Sequence, residues 1–96
     1  MEDLQVIEAS KRMLAHQAGD AACMTKLKIA DLYLRRGDTH TAAWWYLDAS
    51  RDWWRAAQPF KAVVALKKVL RADPSHEEAT RLLEELNEKL GLPKTG

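Results

Sequence analysis

Apolar residues recur at steps of three and four along most of this chain. Within residues 21–36, for example, Leu27 is followed three positions later by Ala30, and Ala30 is followed three and four positions later by Tyr33 and Leu34. This period is that of an amphipathic helix, and no stretch shows the alternation expected of a strand. The pattern predicts an all-α chain of five helices, over about 2–17, 21–36, 39–57, 60–72 and 76–90.

Residues with known preferences for helix ends separate the predicted helices. Gly19 is expected to end the first helix, and Asp38 to be the N-cap of the third. Pro59 suits the first turn of a fourth helix, where its missing N–H costs nothing. Ser75, followed three residues later by Glu78, predicts a capping box at the start of the fifth.

The connections between these helices are short, so consecutive helices should lie antiparallel. We therefore expect an antiparallel helical hairpin array that forms a single domain over residues 1–91, with a flexible tail over 92–96. The end of the chain, Leu92–Gly96, reads LPKTG and resembles the sortase sorting signal of surface proteins. No apolar tail accompanies it, so we interpret the stretch as a helix terminator.

Two segments of the chain align with each other. "GDTHTAAWWYLDAS" at 37–50 and "AQPFKAVVALKKVL" at 57–70 place Ala42 over Ala62 and Tyr46 over Leu66. In each segment a small residue, which permits close helix packing, precedes a large one by four positions. The alignment indicates an internal helical repeat.

The repeat resembles the tetratricopeptide family, in which each helix pair carries Gly, Tyr, Ala and Pro at set positions. The runs "ADLYLRRGDTHTA" (30–42) and "KAVVALKKVLRADPSH" (61–76) carry the likeness. The two matches are offset by 20 residues, where the family repeats at about 34, so the third helix serves both. The resemblance implies a compact fragment of a right-handed α-solenoid. It also implies a non-enzymatic adaptor that binds another protein or a peptide through one helical face.

All four tryptophans lie on the third helix. At about 100° per residue, Trp45, Tyr46 and Trp53 share a stripe with the small residues Ala42 and Ala49, and we predict that the three aromatic side chains belong to the core. Trp54 lies about 100° round from Trp53. A helix packed on both sides would bury that edge too, so Trp54 is expected in the core or half-buried.

Trp44 points away from this stripe and shares its face with Asp48, Arg51 and Arg55. Trp and Arg are enriched at the energetic centres of protein interfaces. The face is therefore a candidate binding surface, unless the first helix or the C-terminal tail covers Trp44. The candidate partner-binding residues are Trp44, Arg51, Arg55, Trp54, Lys28 and Arg35.

The charge balance bears on the kind of partner. Fifteen Lys and Arg against 14 Asp and Glu give a net charge of +1, so neither nucleic acid nor a membrane is expected as a partner. Basic residues cluster on the second and fourth helices, and acidic residues on the fifth. These clusters are either solvated faces or sites for an acidic partner segment, and they also permit self-association as a homodimer. Nucleic-acid binding through the basic helices, with tryptophan stacking on bases, is the least favoured alternative.

No residue pattern suggests catalysis, a metal site or a cofactor. The single cysteine, Cys23, excludes an internal disulfide and is expected to be buried in a protein of a reducing compartment. His16, His40 and His76 are far apart, and no CxxC or HExxH motif occurs. No apolar run approaches the roughly 20 residues of a membrane span. We expect a cytoplasmic protein that is not an enzyme.

Overall fold

The computed structural model describes residues 2–92 and confirms the all-α antiparallel hairpin array. Within that range there is no strand. The five helices are α1 (Asp3–Leu14), α2 (Gly19–Arg35), α3 (Thr39–Arg55), α4 (Pro59–Ala72) and α5 (Glu77–Leu90). The predicted tail lies outside the described residues except for Leu92, whose backbone nitrogen donates to the carbonyl of Asn87 at 2.8 Å. The LPKTG stretch beyond Leu92 is likewise outside them.

Several helix ends confirm the sequence predictions. The Asp38 carboxylate accepts a hydrogen bond from the backbone N–H of Thr41 at 3.1 Å, as an N-cap does. Pro59 lies in the first turn of α4. Gly37 and Gly91 have φ values of +84° and +70°, and this left-handed conformation is the one that ends a helix at glycine.

Other helix ends differ from the predictions. Gly19 is the first residue of α2 and does not end α1, which stops earlier, at Leu14. The third helix ends two residues before the predicted position 57, because Ala57 adopts a left-handed φ of +59° without being glycine.

The predicted capping box at the fifth helix is also wrong. Ser75 hydrogen bonds through both its hydroxyl and its backbone N–H to Asp73. The N-cap is therefore His76, whose Nδ1 accepts from the backbone N–H of Ala79 at 3.1 Å.

The helices form a flat, two-layered zigzag. Each helix packs mainly against its neighbours in sequence, and the Cα trace measures 42 × 27 × 16 Å. Its 16 Å thickness leaves room for two helix layers. We call α1, α3 and α5 the odd layer, and α2 and α4 the even layer. The layers are linked internally by Lys61 of α4 with Asp20 of α2, and by Arg51 of α3 with Glu78 of α5.

Alanines occupy the places where helices approach each other most closely. The alanines with no exposed surface are Ala30, Ala42, Ala49, Ala62, Ala65 and Ala79. Leu66 and Val69 of α4 fill the space between α3 and α5 and are also fully buried. The predicted core stripe on α3 is thus confirmed at its small positions.

The outer helix α1 buries fewer residues than any of the other four helices. Ile7 is fully buried, but Leu4, three residues before it, is exposed. Ala15 is exposed as well, since the helix ends at Leu14. Among the described residues, no helix is both long enough and apolar enough to cross a lipid bilayer.

Candidate functional site

Two of the predicted core aromatic residues, Trp53 and Tyr46, are buried, and the polar atom of each side chain makes a hydrogen bond. Trp53 is 3% exposed, and its indole Nε1 donates to Asp20 Oδ1 at 2.7 Å. The Tyr46 hydroxyl donates to Asp31. Burial and the Asp31 carboxylate raise the pKa of Tyr46 well above its ordinary value, because both disfavour a phenolate. Both rings extend from α3 to the edge of α2.

Trp45 is only partly buried. It packs against the core, and the Lys11 ammonium of α1 lies 5.9 Å from its ring centroid. Such a distance is that of a cation–π contact. Trp45 therefore joins α1 to α3, although the core prediction overstated its burial.

Trp44 is 54% exposed. Its ring meets that of Trp45 edge-on, with centroids 5.1 Å apart and planes at 83°. This arrangement holds the Trp44 ring in position while leaving its outer face in solvent. Among residues 2–92, neither α1 nor any other segment covers it, so the first helix does not conceal it as the alternative supposed.

Trp54 is 43% exposed, so of the two expected placements, in the core or half-buried, the half-buried one describes it. Helix α5 does not reach across to close over it. A groove of about 80 Å³ remains between α3 and α5, with Leu66, Leu82 and Leu86 among its lining residues. The Lys89 ammonium lies 5.1 Å from the Trp54 ring centroid and stands over one side of the ring.

The charged residues beside Trp44 are already engaged in ion pairs. Arg51 binds Glu78 of α5, and Arg55 donates to Asp52 at 2.7 Å. Both guanidinium groups remain substantially exposed, so they lie on the surface in fixed positions. Arg51 lines the groove with Trp54, and the structure brings these two candidate residues together.

Lys26, one of the basic residues of the second helix, lies between two carboxylates of α3. Its ammonium lies 2.7 Å from Asp48 and also pairs with Asp52. Burial alone would lower the pKa of Lys26, but the hydrogen bonds to the two carboxylates more than reverse this and raise it. Lys26 therefore fixes α2 to α3 and is not available to a partner.

Lys28 and Arg35 lie on a different surface from the tryptophans. They are seven residues, or about two turns, apart on the outer side of α2, in the even layer. Arg35 donates to both oxygens of Asp3 in α1, at 2.6 and 3.2 Å. Lys28 is exposed. The candidate set thus divides into an odd-layer group of four residues on α3 and an even-layer pair on α2.

Sequence reasoning missed three exposed apolar residues of the even layer. Met24 of α2 is 54% exposed, and Phe60 and Val64 of α4 are 62% and 53% exposed. Their spacing carried a usable signal, because Phe60 and Val64 lie four residues apart and opposite to the alanine stripe of α4.

A second, wider groove lies where the ends of α1 and α3 meet the start of α2. It has a volume of about 590 Å³, and its lining includes Gln17, Cys23 and Asp52. Cys23 is buried as predicted, and desolvation and the nearby Asp52 raise the pKa of its thiol, so it has none of the thiolate character of a nucleophile. Within residues 2–92 no three His, Cys, Asp or Glu side chains are grouped to hold a metal ion.

Comparisons with protein-family models, with curated proteins and with solved structures found no match to this chain.

Proposed function

We propose that this chain is a non-enzymatic, tetratricopeptide-like adaptor that binds another protein or a peptide through the outer face of α3. The observation that carries the proposal is that α3 buries some of its large aromatic side chains and leaves others exposed. Helix α3 buries Trp53 and Tyr46 but leaves Trp44 and Trp54 about half in solvent. Two exposed tryptophans on a well-packed helix provide apolar area that only a partner would remove from water.

The surroundings of the two tryptophans favour binding. Trp54 lines the same groove as Arg51, and Trp44 lies seven residues before Arg51 on the same face of α3. Trp and Arg are enriched among the residues that contribute most to binding at protein interfaces. The groove beside Trp54 has an apolar floor and is large enough for one apolar side chain. Glu78 holds Arg51 in place, so less side-chain entropy is lost when a partner binds.

The resemblance to tetratricopeptide repeats supports the same function, since arrays of that family commonly bind peptides or helices. A cytoplasmic location belongs to the proposal, and it is favoured by the unpaired thiol of Cys23. A homodimer formed through this face is the alternative, in which the partner is a second copy.

The test is affinity capture from cell extract with quantitative comparison of three proteins. We expect Trp44→Ala combined with Trp54→Ala to lose the captured partner, while the control Phe60→Ala, also an exposed aromatic residue but in the even layer, retains it. The melting temperature of the double variant should fall only modestly, because about half of each ring already lies in solvent in the folded wild type.

Light scattering of the purified protein separates a hetero-partner from self-association. A dimer mass that the double variant reduces to a monomer mass assigns the face to self-association. Identical capture by all three proteins, or a large loss of stability in the double variant, would contradict the proposed binding role of the two tryptophans.

A further inference from the structure

We infer that the even layer carries a second binding surface, and that this surface takes an acidic protein segment with apolar side chains. We call it the α2–α4 face. Its residues are Met24, Lys28, Phe60, Val64, Lys67 and Arg71. It is separate from the α3 face of the proposed function.

The apolar centre of this face follows from how α2 and α4 lie together. Both helices pack antiparallel on α3, so they run in the same direction, and the Lys61 ammonium lies 2.9 Å from Asp20 near their N-termini. Met24 is one turn beyond Asp20, and Val64 is about one turn beyond Lys61. The two exposed side chains therefore lie at the same level on either side of the seam. Phe60 continues the patch one turn earlier on α4.

Cations surround the apolar centre without internal partners. Lys28 follows Met24 by one turn, and Lys67 and Arg71 continue the face of Val64. All three are exposed, and within residues 2–92 none of them has a carboxylate at ion-pair distance.

Two carboxylates of α2, Asp20 and Asp31, also lie near the seam. Asp20 accepts hydrogen bonds from Trp53 and from Lys61, whose charge it balances. Asp31 accepts a hydrogen bond from the Tyr46 hydroxyl, which orients its carboxylate but leaves its negative charge in place. Lys28, Lys67 and Arg71 still outnumber Asp31, so the face has an excess of positive charge although the whole chain is close to neutral.

This combination specifies the occupant by complementarity. Unpaired Lys and Arg around an apolar centre match Asp or Glu around apolar side chains, because opposite potentials guide association and fix register. The apolar centre favours a protein segment over a nucleic-acid backbone, which would present phosphates to Phe60, Val64 and Met24. It also disfavours the outer face of α5 from a second copy, where the exposed Glu77, Glu84 and Glu88 are not accompanied by exposed apolar residues.

The probe is a labelled synthetic peptide in which Glu alternates with Leu and Phe by helical turns, and its control has Gln in place of every Glu. We expect saturable binding of the acidic peptide by fluorescence anisotropy, with affinity that falls as salt is added. The Gln peptide should bind about tenfold or more weakly, since it keeps the apolar contacts but loses the charge contacts.

The variant is Lys67→Glu combined with Arg71→Glu. Its matched control is Arg12→Glu combined with Arg36→Glu, which changes the net charge equally at exposed positions outside this face. We expect the first pair to weaken the acidic peptide about tenfold or more, and the control pair to have a much smaller effect. Phe60→Ser should also weaken binding, without affecting the partner captured through Trp44 and Trp54.

Three results would overturn the inference. They are the absence of saturable binding by the acidic peptide, an equal loss in both charge-reversal pairs, and tighter binding of a DNA or RNA oligonucleotide that Lys67→Glu with Arg71→Glu abolishes. The Trp44→Ala and Trp54→Ala variant distinguishes the two surfaces, because it should bind the acidic peptide normally even where the proposed function of the α3 face fails.

Discussion

Trp53 and Tyr46 show how large side chains with a polar atom are accommodated in a small core. Each ring is buried, yet its N–H or O–H ends at a carboxylate on the edge of α2, where water still reaches the acceptor. A buried polar atom without a partner would cost more than the hydrogen bond itself contributes. The sequence identified both residues as core, but their acceptors, Asp20 and Asp31, carried no signal because they lie far away along the chain.

The Tyr46 hydroxyl should make stability depend on alkaline pH. Burial and Asp31 raise its pKa above the ordinary value of 10.0, so its contribution is complete below pH 10 and is lost as pH rises further. We expect Tyr46→Phe to cost about 1 kcal/mol near neutral pH, for the lost hydrogen bond. Above pH 10 the difference between wild type and variant should shrink.

Urea unfolding of the wild type and of Tyr46→Phe, near neutral pH and again above pH 10, measures the difference in their free energies of unfolding. Lys26 and the remaining tyrosine are present in both proteins, so the comparison isolates Tyr46. A difference that is constant with pH would mean that the hydroxyl ionises as readily in the folded protein as in the unfolded one.

At the scale of elements, helix existence was predictable and helix ends were less so. Periodicity identified all five helices, because each one buries a stripe with the helical period against its neighbours. The ends depend on single backbone conformations. The left-handed conformation of Gly37 and Gly91 is predictable from sequence because glycine adopts it readily, whereas nothing in the sequence indicates the same conformation at Ala57.

Three of the helices, α2, α3 and α5, end with the same pair of backbone hydrogen bonds. At the end of α3, Gln58 N–H donates to the carbonyl of Trp53 at 2.8 Å, and Ala57 N–H donates to that of Trp54 at 3.1 Å. The same pair of bonds follows α2 and α5, where glycine occupies the left-handed position. Ala57 is the exception, and its Cβ makes the left-handed conformation costly.

We therefore expect Ala57→Gly to stabilise the protein. The relief of strain exceeds the added flexibility of glycine in the unfolded chain, for a net gain of about 0.5–1 kcal/mol. The matched control is Ala56→Gly, since Ala56 is equally exposed but has an ordinary φ of −86°. It should destabilise by about 0.5 kcal/mol. Thermal unfolding of both variants checks the prediction, which would be contradicted if they shifted the melting temperature in the same direction.

The candidate binding residues show the limit of reading a surface from one helix at a time. Helical projection correctly placed Trp44 outside the core stripe, because that depends on α3 alone. It could not identify the role of Lys26, since the partners of Lys26 are Asp48 and Asp52 on the next helix. It also missed the α2–α4 face, which exists only because the zigzag places two nonconsecutive helices side by side.

At the scale of the whole molecule, the zigzag makes stability uneven along the chain. Packing is mainly between consecutive helices, so an end helix is held from one side while α3 is held from both. Helix α1 buries only Ile7 and Ser10, whereas α3 buries seven residues. Contacts of this nearest-neighbour kind allow an end unit to open by itself.

We expect hydrogen exchange to show this gradient directly. Amides of α1 should exchange through local opening well before those of α3 and α4, which should exchange only with global unfolding. The variant Ile7→Ala removes the one fully buried apolar side chain of α1, and such truncations cost about 2–5 kcal/mol. Because α1 packs on one side only, a loss of this size should exceed the free energy that holds α1 on the array. The amides of α1 should then lose their protection from exchange, while those of α3 and α4 keep most of theirs. Exchange measured by mass spectrometry on peptides from each helix tests this, and a uniform loss of protection across all five helices would instead show that the array unfolds as one unit.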